Sequence, residues 1–312
     1  MNVTNSAFSS NFLYQIQKLE SQQSTLQNEA ATGLKVSSPE DNPGVMNDVL
    51  KLQTQASANT QYQSNITAVQ NSANTASDAL NSLQTLVEQA GEIATNAVGV
   101  TSSTQLSTYA TQVGQLIQQA LQIANSQDAN NNYLFGGTAN GAAPFTAATD
   151  ASGNATAVTY NGNTSVNQIK IAPGLTVTAQ SPGENSTGSG AEGVFADSRT
   201  GADVFSHLIA LQQDLASGNT SAISSTDQPN LHKDEDNVVT QIGGNAVLQS
   251  TLEAAGNVAS QNGTSIDTQM SNDTNADLAT TLTQLSQAQT AYQAALESGT
   301  MVMNTTLLNY LQ

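Results

Sequence analysis

The sequence predicts a mainly α protein: a long antiparallel helical rod or coiled coil formed by its N- and C-terminal segments, with a small inserted β domain. Three observations predict it. The two ends carry narrow apolar seams of matching period. The middle of the chain switches to short alternating runs between turn formers. Helical patterning then resumes, so the chain leaves along a rod and returns along it.

The C-terminal stretch 275–311 sets the problem. Leu278, Leu282, Leu285, Tyr292, Leu296, Gly299, Met303 and Tyr310 recur at spacings of four and three, with Gln289 and Thr306 as polar interruptions. That is the rhythm of a coiled-coil seam, not the broader stripe of a helix lying on a large core. Its outer face is Thr, Gln, Ser and Asn. Thr, Ser and Asn form helices poorly, and isolated helices are marginal even with good formers, so this one needs a partner along its length. The stretch 6–33 supplies the same spacing through Phe12, Ile16, Leu19, Gln23, Leu26, Ala30 and Gly33. Gly33 suits a helix stop.

Between Gly33 and Gly44, two prolines (Pro39 and Pro43) and clustered Ser, Asp and Asn read as a loop. Asn42 then caps a helix with Pro43 at its first position. That helix runs to about Val98 through Val45, Val49, Leu52, Ala56, Ile66, Ala73, Leu80 and Val87, interrupted by Asn59 and Gln63. A third helix spans about 103–125, and the short link makes it an antiparallel neighbour of the second. From Ser126 turn formers surround Tyr133, Phe135, Pro144 and Phe145. Residues 146–182 then alternate between Asn-Gly and Pro-Gly turns as a small β unit, and 183–193 reads as a flexible linker. Helices return at about 202–218, 231–257 and from 275 onward, with a polar stretch between the last two.

Composition narrows the function. Of 312 residues, 24 are acidic and six basic, a net charge of -18, and Lys18, Lys35, Lys51, Lys170, Arg199 and Lys233 are scattered singly. This argues against nucleic acid and anionic membrane as partners, since phosphate binding needs a basic patch. There is no Cys, so disulfides and thiolate metal sites are excluded. No apolar run is long enough to span a membrane, and the N-terminus lacks the pattern of a cleaved signal peptide. His207 reads as a partly buried helix residue. His232 and the run Asp234, Glu235, Asp236 read as a solvated face. No ligand spacing, nucleophile pair or phosphate loop emerges, so no catalytic residue, cofactor or metal is assigned and an enzyme is not expected.

The residues themselves resemble a known family. ATGLKVSSPEDNPG (31–44), with Gly33, Pro39, Asp41 and Pro43, is similar to the segment that follows the first helix in the bacterial flagellin superfamily, and the C-terminal helix resembles that superfamily's terminal helix. NNNYLFGGTANGAAPF (130–145), with Tyr133, Phe135, Gly137, Pro144 and Phe145, is similar to a signature of its hook–filament junction (hook-associated protein 3) branch. Where relatives carry a Gly-Ala-Arg-like element, Ile242-Gly243-Gly244-Asn245 stands here.

The resemblance implies a structural subunit exported unfolded without a cleaved signal peptide. It would be located in the extracellular flagellum, in a ring of its own copies that joins the hook-side junction protein to flagellin, and an export chaperone is implied as a further partner. It assigns subunit assembly to the N-terminal seam (Phe12, Ile16, Leu19, Leu26) and the C-terminal seam (Leu278, Leu282, Leu285, Tyr292, Leu296, Met303, Tyr310). The expected domains are 1–44 with 274–312 as the terminal coiled coil, 45–145 with 200–273 as a helical rod, and 146–199 as an outer β domain. Flagellin itself shares these termini and is the alternative. A secreted coiled-coil adhesin or fibre would need longer unbroken heptads and no return of the chain along itself.

Overall fold

The computed structural model describes residues 2–310, with side chains described at 9–301. In chain order the elements are α1 (Asn2–Thr32), α2 (Pro43–Ala97), α3 (Ser103–Ala124), β1 (Phe145–Thr149), β2 (Ala155–Tyr160), β3 (Ile169–Ala172), β4 (Leu175–Val177), β5 (Glu184–Asn185), β6 (Ala196–Asp197), β7 (Ala202–Asp203), α4 (Val204–Ser217), the single turn α5 (Thr220–Ala222), a π-turn (Ile223–Asp227), α6 (Gln228–Thr274) and α7 (Leu278–Tyr310). The mainly α fold with a small β insertion is therefore as the sequence predicts.

The chain forms two compact units, one of residues 1–58 and 262–312, the other of residues 59–261. In the first, α1 and α7 run antiparallel. Phe12 lies beside Gly299, and Leu34 bridges to Asn275 at the other end. Val36, Val49, Leu52 and Ile266 are buried in the same unit.

In the second, α2, α3, α4, the start of α6 and the β segment share one core. Leu83 and Val87 of α2, Val113 and Ile117 of α3, and Leu208, Leu211 and Leu215 of α4 are buried together with Phe135, Phe145, Val194 and Phe195. The helices meet because each presents apolar residues at spacings of three and four. Local signals fix their ends. Ser102 caps α3 and Asp203 caps α4 through their side chains, and Gly218 closes α4 with φ 74°. The Ser and Thr residues on the outer faces turn back on their own helices, as Thr54 Oγ1 does to the Leu50 carbonyl at 2.9 Å.

A second, smaller core joins α2 and α6 to the β3–β4 hairpin. Ile66, Val69, Ala73, Leu252, Ala255 and Ala259 pack around Ile171. The polar interruption at Asn59 has a use here: its amide donates to the Ala259 carbonyl at 2.8 Å. Asn65 reaches the Lys170 carbonyl of the hairpin at 2.7 Å.

Three expectations change. The polar stretch after residue 257 is helix, because α6 runs unbroken to Thr274, its inner face made of Ala259, Gly263, Ile266 and Met270. Small side chains there leave little apolar pattern to read. Residues 183–193 are not a flexible linker. Buried Asn185 donates to the Ser189 and Ala191 carbonyls at 2.8 and 2.7 Å and accepts from the Thr187 and Gly188 amides, while Asp197 accepts from the Gly193 amide at 2.9 Å. Polar side chains thus organise a loop that composition alone marks as disordered. The segment 146–199 also shares its core with the helices, through Phe195, Val194 and Ala155.

Phe195 is the hub. Its ring centroid lies 5.3 Å from that of Phe135, 5.1 Å from Phe145 and 5.5 Å from Phe205, separations at which aromatic pairs attract beyond simple burial. The Phe195→Ala variant should lose about 3–5 kcal/mol of stability, read as a lower urea midpoint by far-ultraviolet circular dichroism. An unchanged midpoint would remove Phe195 from this role.

Candidate assembly surface

The candidate site is the α1–α7 pair and the loops that anchor it. Along α1 the residues turned inward are Phe12, Ile16, Leu19, Gln23, Leu26, Ala30 and Gly33, and between them only Glu29 is also partly covered. This is the spacing read from the sequence. Along α7 the inward positions are Thr281, Leu285, Ala288, Tyr292, Ala295 and Gly299. Leu285, Tyr292 and Gly299 agree with the sequence reading. The alternate positions fall one residue earlier than expected, so Leu282 and Leu296 lie off the intramolecular seam, 55% and 42% exposed, and Leu278, the first residue of the helix, is 48% exposed. Met303 and Tyr310 lie outside the described side chains.

The cause is the size of the facing residues. A Cβ on Gly299 would overlap the Phe12 ring. Phe12 therefore fills a hole that only glycine leaves, and Ala288 and Ala295 allow equally close approach. Two helices that meet through Gly and Ala can come nearer than two that meet through Leu. The exposed leucines are then left on a flank beside the seam, and Gln289 shares that flank. On α1, Leu13 and Tyr14 are exposed as well. These side chains form an apolar surface without an intramolecular cover.

The loops at one end of the pair are tied together. The Lys35 amide donates to the Thr274 carbonyl at 2.8 Å, the Ala276 amide to the Gly33 carbonyl at 2.8 Å, and Lys35 Nζ to the Asn272 carbonyl at 3.0 Å. Gly33 makes the turn at φ 72°. In the following loop Asp41 Oδ2 accepts the Ser37 and Ser38 amides at 2.9 and 2.8 Å. Those backbone donors, Ser37 first, hold its carboxyl below the usual range. Asn42 Oδ1 accepts the Gly44 and Val45 amides and so caps α2, with Pro43 in the first turn. At the start of α7, Asp277 accepts the Thr280 hydroxyl at 2.8 Å and the Ala279 amide at 3.1 Å. The Thr280 contact leads the causes that lower its pKa. Pro39, Asp41 and Pro43 are exposed.

The 130–145 motif lies elsewhere and faces inward. Phe135, Gly137, Pro144 and Phe145 are buried, and Tyr133 is half-buried. Asn125 clamps Phe145 at both ends of its peptide unit, donating to its carbonyl at 2.9 Å and accepting its amide at 3.0 Å. The Tyr160 hydroxyl lies 3.0 Å from the Phe135 carbonyl and accepts the Gly183 amide at 3.1 Å. Gly137, at φ 63°, packs its Cα face on the Asn163 backbone, where a Cβ would overlap. These motif residues build the core that fixes the β segment to α3 and α4.

One polar cluster escaped the sequence reading. His207 Nδ1 lies 2.8 Å from Asp234 Oδ2, and Asp234 is fully buried and also accepts the Asp203 amide at 2.7 Å. The run 234–236 is therefore not wholly a solvated face. The signal was present in the spacing, since Asp234 falls three residues after buried Leu231 and four before buried Val238. Burial pulls the His207 imidazole pKa down, but the hydrogen bond and charge of Asp234 outweigh it and raise the net value. Asp197, whose carboxylate receives the Arg199 guanidinium, is held at about 2. In the Ile242–Asn245 stretch, the Asn245 amide donates to the Ala73 carbonyl at 3.1 Å.

Residues 3–140 match the family model described as the bacterial flagellin N-terminal helical region. A search of curated protein sequences found no match. Among solved structures, the chain is similar to a flagellar hook-associated protein from Vibrio parahaemolyticus, at 21% identity and a TM-score of 0.63 over 75% of this chain and 100% of that one. It is also similar to Bacillus cereus FlgL, at 16% identity and a TM-score of 0.57 over 71% and 99%. Xanthomonas campestris FlgL gives 18% identity and a TM-score of 0.55 over 70% and 99%. Residues 3–140 are thus similar to a flagellin-type N-terminal region, and the chain has the fold of these flagellar proteins.

The Gly299→Val variant tests the seam. It should weaken the α1–α7 pair by about 1–3 kcal/mol, seen as lower helicity and faster cleavage of both helices by protease. Adding Phe12→Ala should restore part of the loss. Equal cleavage rates in Gly299→Val and the parent would contradict the packing described.

Proposed function

We propose that this chain, whose residues 3–140 match the flagellin N-terminal region, is a structural subunit of the bacterial flagellum. It acts at the hook–filament junction, as an adaptor between the hook-side junction protein and flagellin. The observation that carries the reading is the exposed leucine column of α7, on a helix pair too polar to be finished by itself. Leu278, Leu282 and Leu296 stand at the spacing of a second seam. A surface of this kind gains from burial against a neighbour, at roughly 1.5–3 kcal/mol per fully covered leucine.

In this reading each α1–α7 pair closes its own inner seam and offers the outer one to adjacent copies in a ring. Residues 1–44 with 274–312 form the lattice contacts, 45–145 with 200–273 form the surrounding shell, and 146–199 stands on the outer side. The inner-seam residues Phe12, Ile16, Leu19, Leu26, Leu285 and Tyr292 hold the pair in the phase that presents the leucines. The subunit works outside the cell, in the extracellular flagellum. A chaperone would cover the apolar ends before export. Nothing in this role calls for catalysis.

Flagellin is the second reading, because the matched N-terminal region is the one filament subunits carry. The buried 130–145 motif, of the junction-branch type, favours the adaptor. Electron microscopy of a deletion strain separates the two. The adaptor role predicts intact hooks with flagellin shed into the medium, and normal filaments would overturn it. Purified protein that extends filament seeds without limit would favour flagellin. The Gln289→Leu variant, which makes the exposed column continuous, should raise self-association of the monomer several-fold in sedimentation. A sedimentation profile identical to the parent's would count against that column as a contact surface.

A further inference from the structure

The helical unit holds a buried carboxylate that assembly does not use. Asp227 closes the π-turn between α5 and α6. It is 1% exposed, and its Oδ2 has no hydrogen-bond partner. The groups that face it come from α4: the Asp214 carboxyl, in contact, and the His207 imidazole, whose charge it senses. His207 is already held by Asp234 of α6, and Asp214 Oδ1 accepts the Asn219 amide at 3.1 Å. A buried carboxylate that meets a second carboxyl without a donor between them ionises at a cost, whereas a proton on Asp227 supplies the missing donor. The π-turn is itself a wide, weakly held piece of helix, a form that recurs at functional positions.

We infer that this turn is a proton-responsive clasp: a proton held on Asp227, against Asp214, keeps the turn closed and the start of α6 seated, and its loss loosens that joint while the surrounding core stays packed.

The sign follows from linkage. Burial, and then the Asp214 charge, push Asp227 from 3.8 up to about 6. A raised carboxyl pKa means that the closed turn binds the proton more tightly than the open one does. Closing is therefore fully favoured in acid, weakens as pH rises from about 4 and is at its weakest above about 6. Between pH 5 and pH 7.5 this amounts to about a tenfold change in the opening constant.

Amide hydrogen exchange on the full chain reads it directly. With exchange corrected for the intrinsic rate, protection of residues 219–231 should fall about tenfold from pH 5 to pH 7.5, while residues 103–124 of α3 hold steady. Asp227→Asn donates an amide hydrogen to Asp214 and removes the titration, so protection at pH 7.5 should match that of the parent at pH 5. Asp214→Asn is the reciprocal test and carries the experiment where the first variant fails to fold. A flat profile in the parent would overturn the inference. So would an equal fall in α3, or a pH response that survives in both variants, which would assign it to His207 and Asp234 instead.

Discussion

How closely α1 and α7 approach decides what the terminal helices can do. Phe12 enters the space that Gly299 leaves, and Ala288 and Ala295 keep the helices close on either side. Dispersion contacts are individually small and depend steeply on distance, so a close seam of small residues can hold a pair that has few large apolar side chains. The same closeness fixes the rotation of α7. With Ala288, Ala295 and Gly299 inside, Leu278, Leu282 and Leu296 face out, and the helix carries two sides of different chemistry: a tight inner seam and an exposed apolar flank. The looped ends at Gly33–Lys35 and Thr274–Ala276, tied by backbone hydrogen bonds, keep the two helices from sliding along each other.

The unit of residues 59–261 solves a different problem, that of stability in a chain with 4% aromatic residues. It concentrates its scarce large side chains. Phe135, Phe145, Phe195 and Phe205 meet in one cluster, and the segment between them is held less by apolar burial than by polar side chains that bind their own loop. Asn185 and Asp197 each satisfy several backbone groups at once, which lets a sequence rich in Gly and Ser take one conformation despite its entropy.

Much of this was legible in the sequence, and the failures are instructive. The period of both terminal seams was correct, as were Gly33 and Gly218 as helix ends and the inward spacing of α1. The phase of α7 was wrong at alternate positions because the reading weighted Leu over Ala and Gly, and close packing rewards the small residues. The same bias shortened α6, whose stretch beyond residue 257 buries Ala259 and partly covers Gly263. Residues 183–193 were read from composition as a linker, since self-bonding by Asn185 leaves no periodic trace. Asp234 was assigned to solvent by its acidic neighbours, although its spacing from Leu231 and Val238 placed it inside. The motif residues 133–145 were singled out by resemblance, and the structure gives them a packing role that spacing alone did not suggest.

The central claim is that α7 keeps Ala288, Ala295 and Gly299 for its own chain and Leu278, Leu282 and Leu296 for neighbouring subunits. Because the chain has no cysteine, single substitutions can report on each seam. Maleimide labelling of Leu282→Cys and Ala288→Cys, in the monomer and in isolated flagella, tests it most directly. The account predicts fast labelling at position 282 in the monomer and protection in the flagellum, with position 288 protected in both. Protection at 282 in the monomer, or unchanged labelling there after assembly, would contradict it.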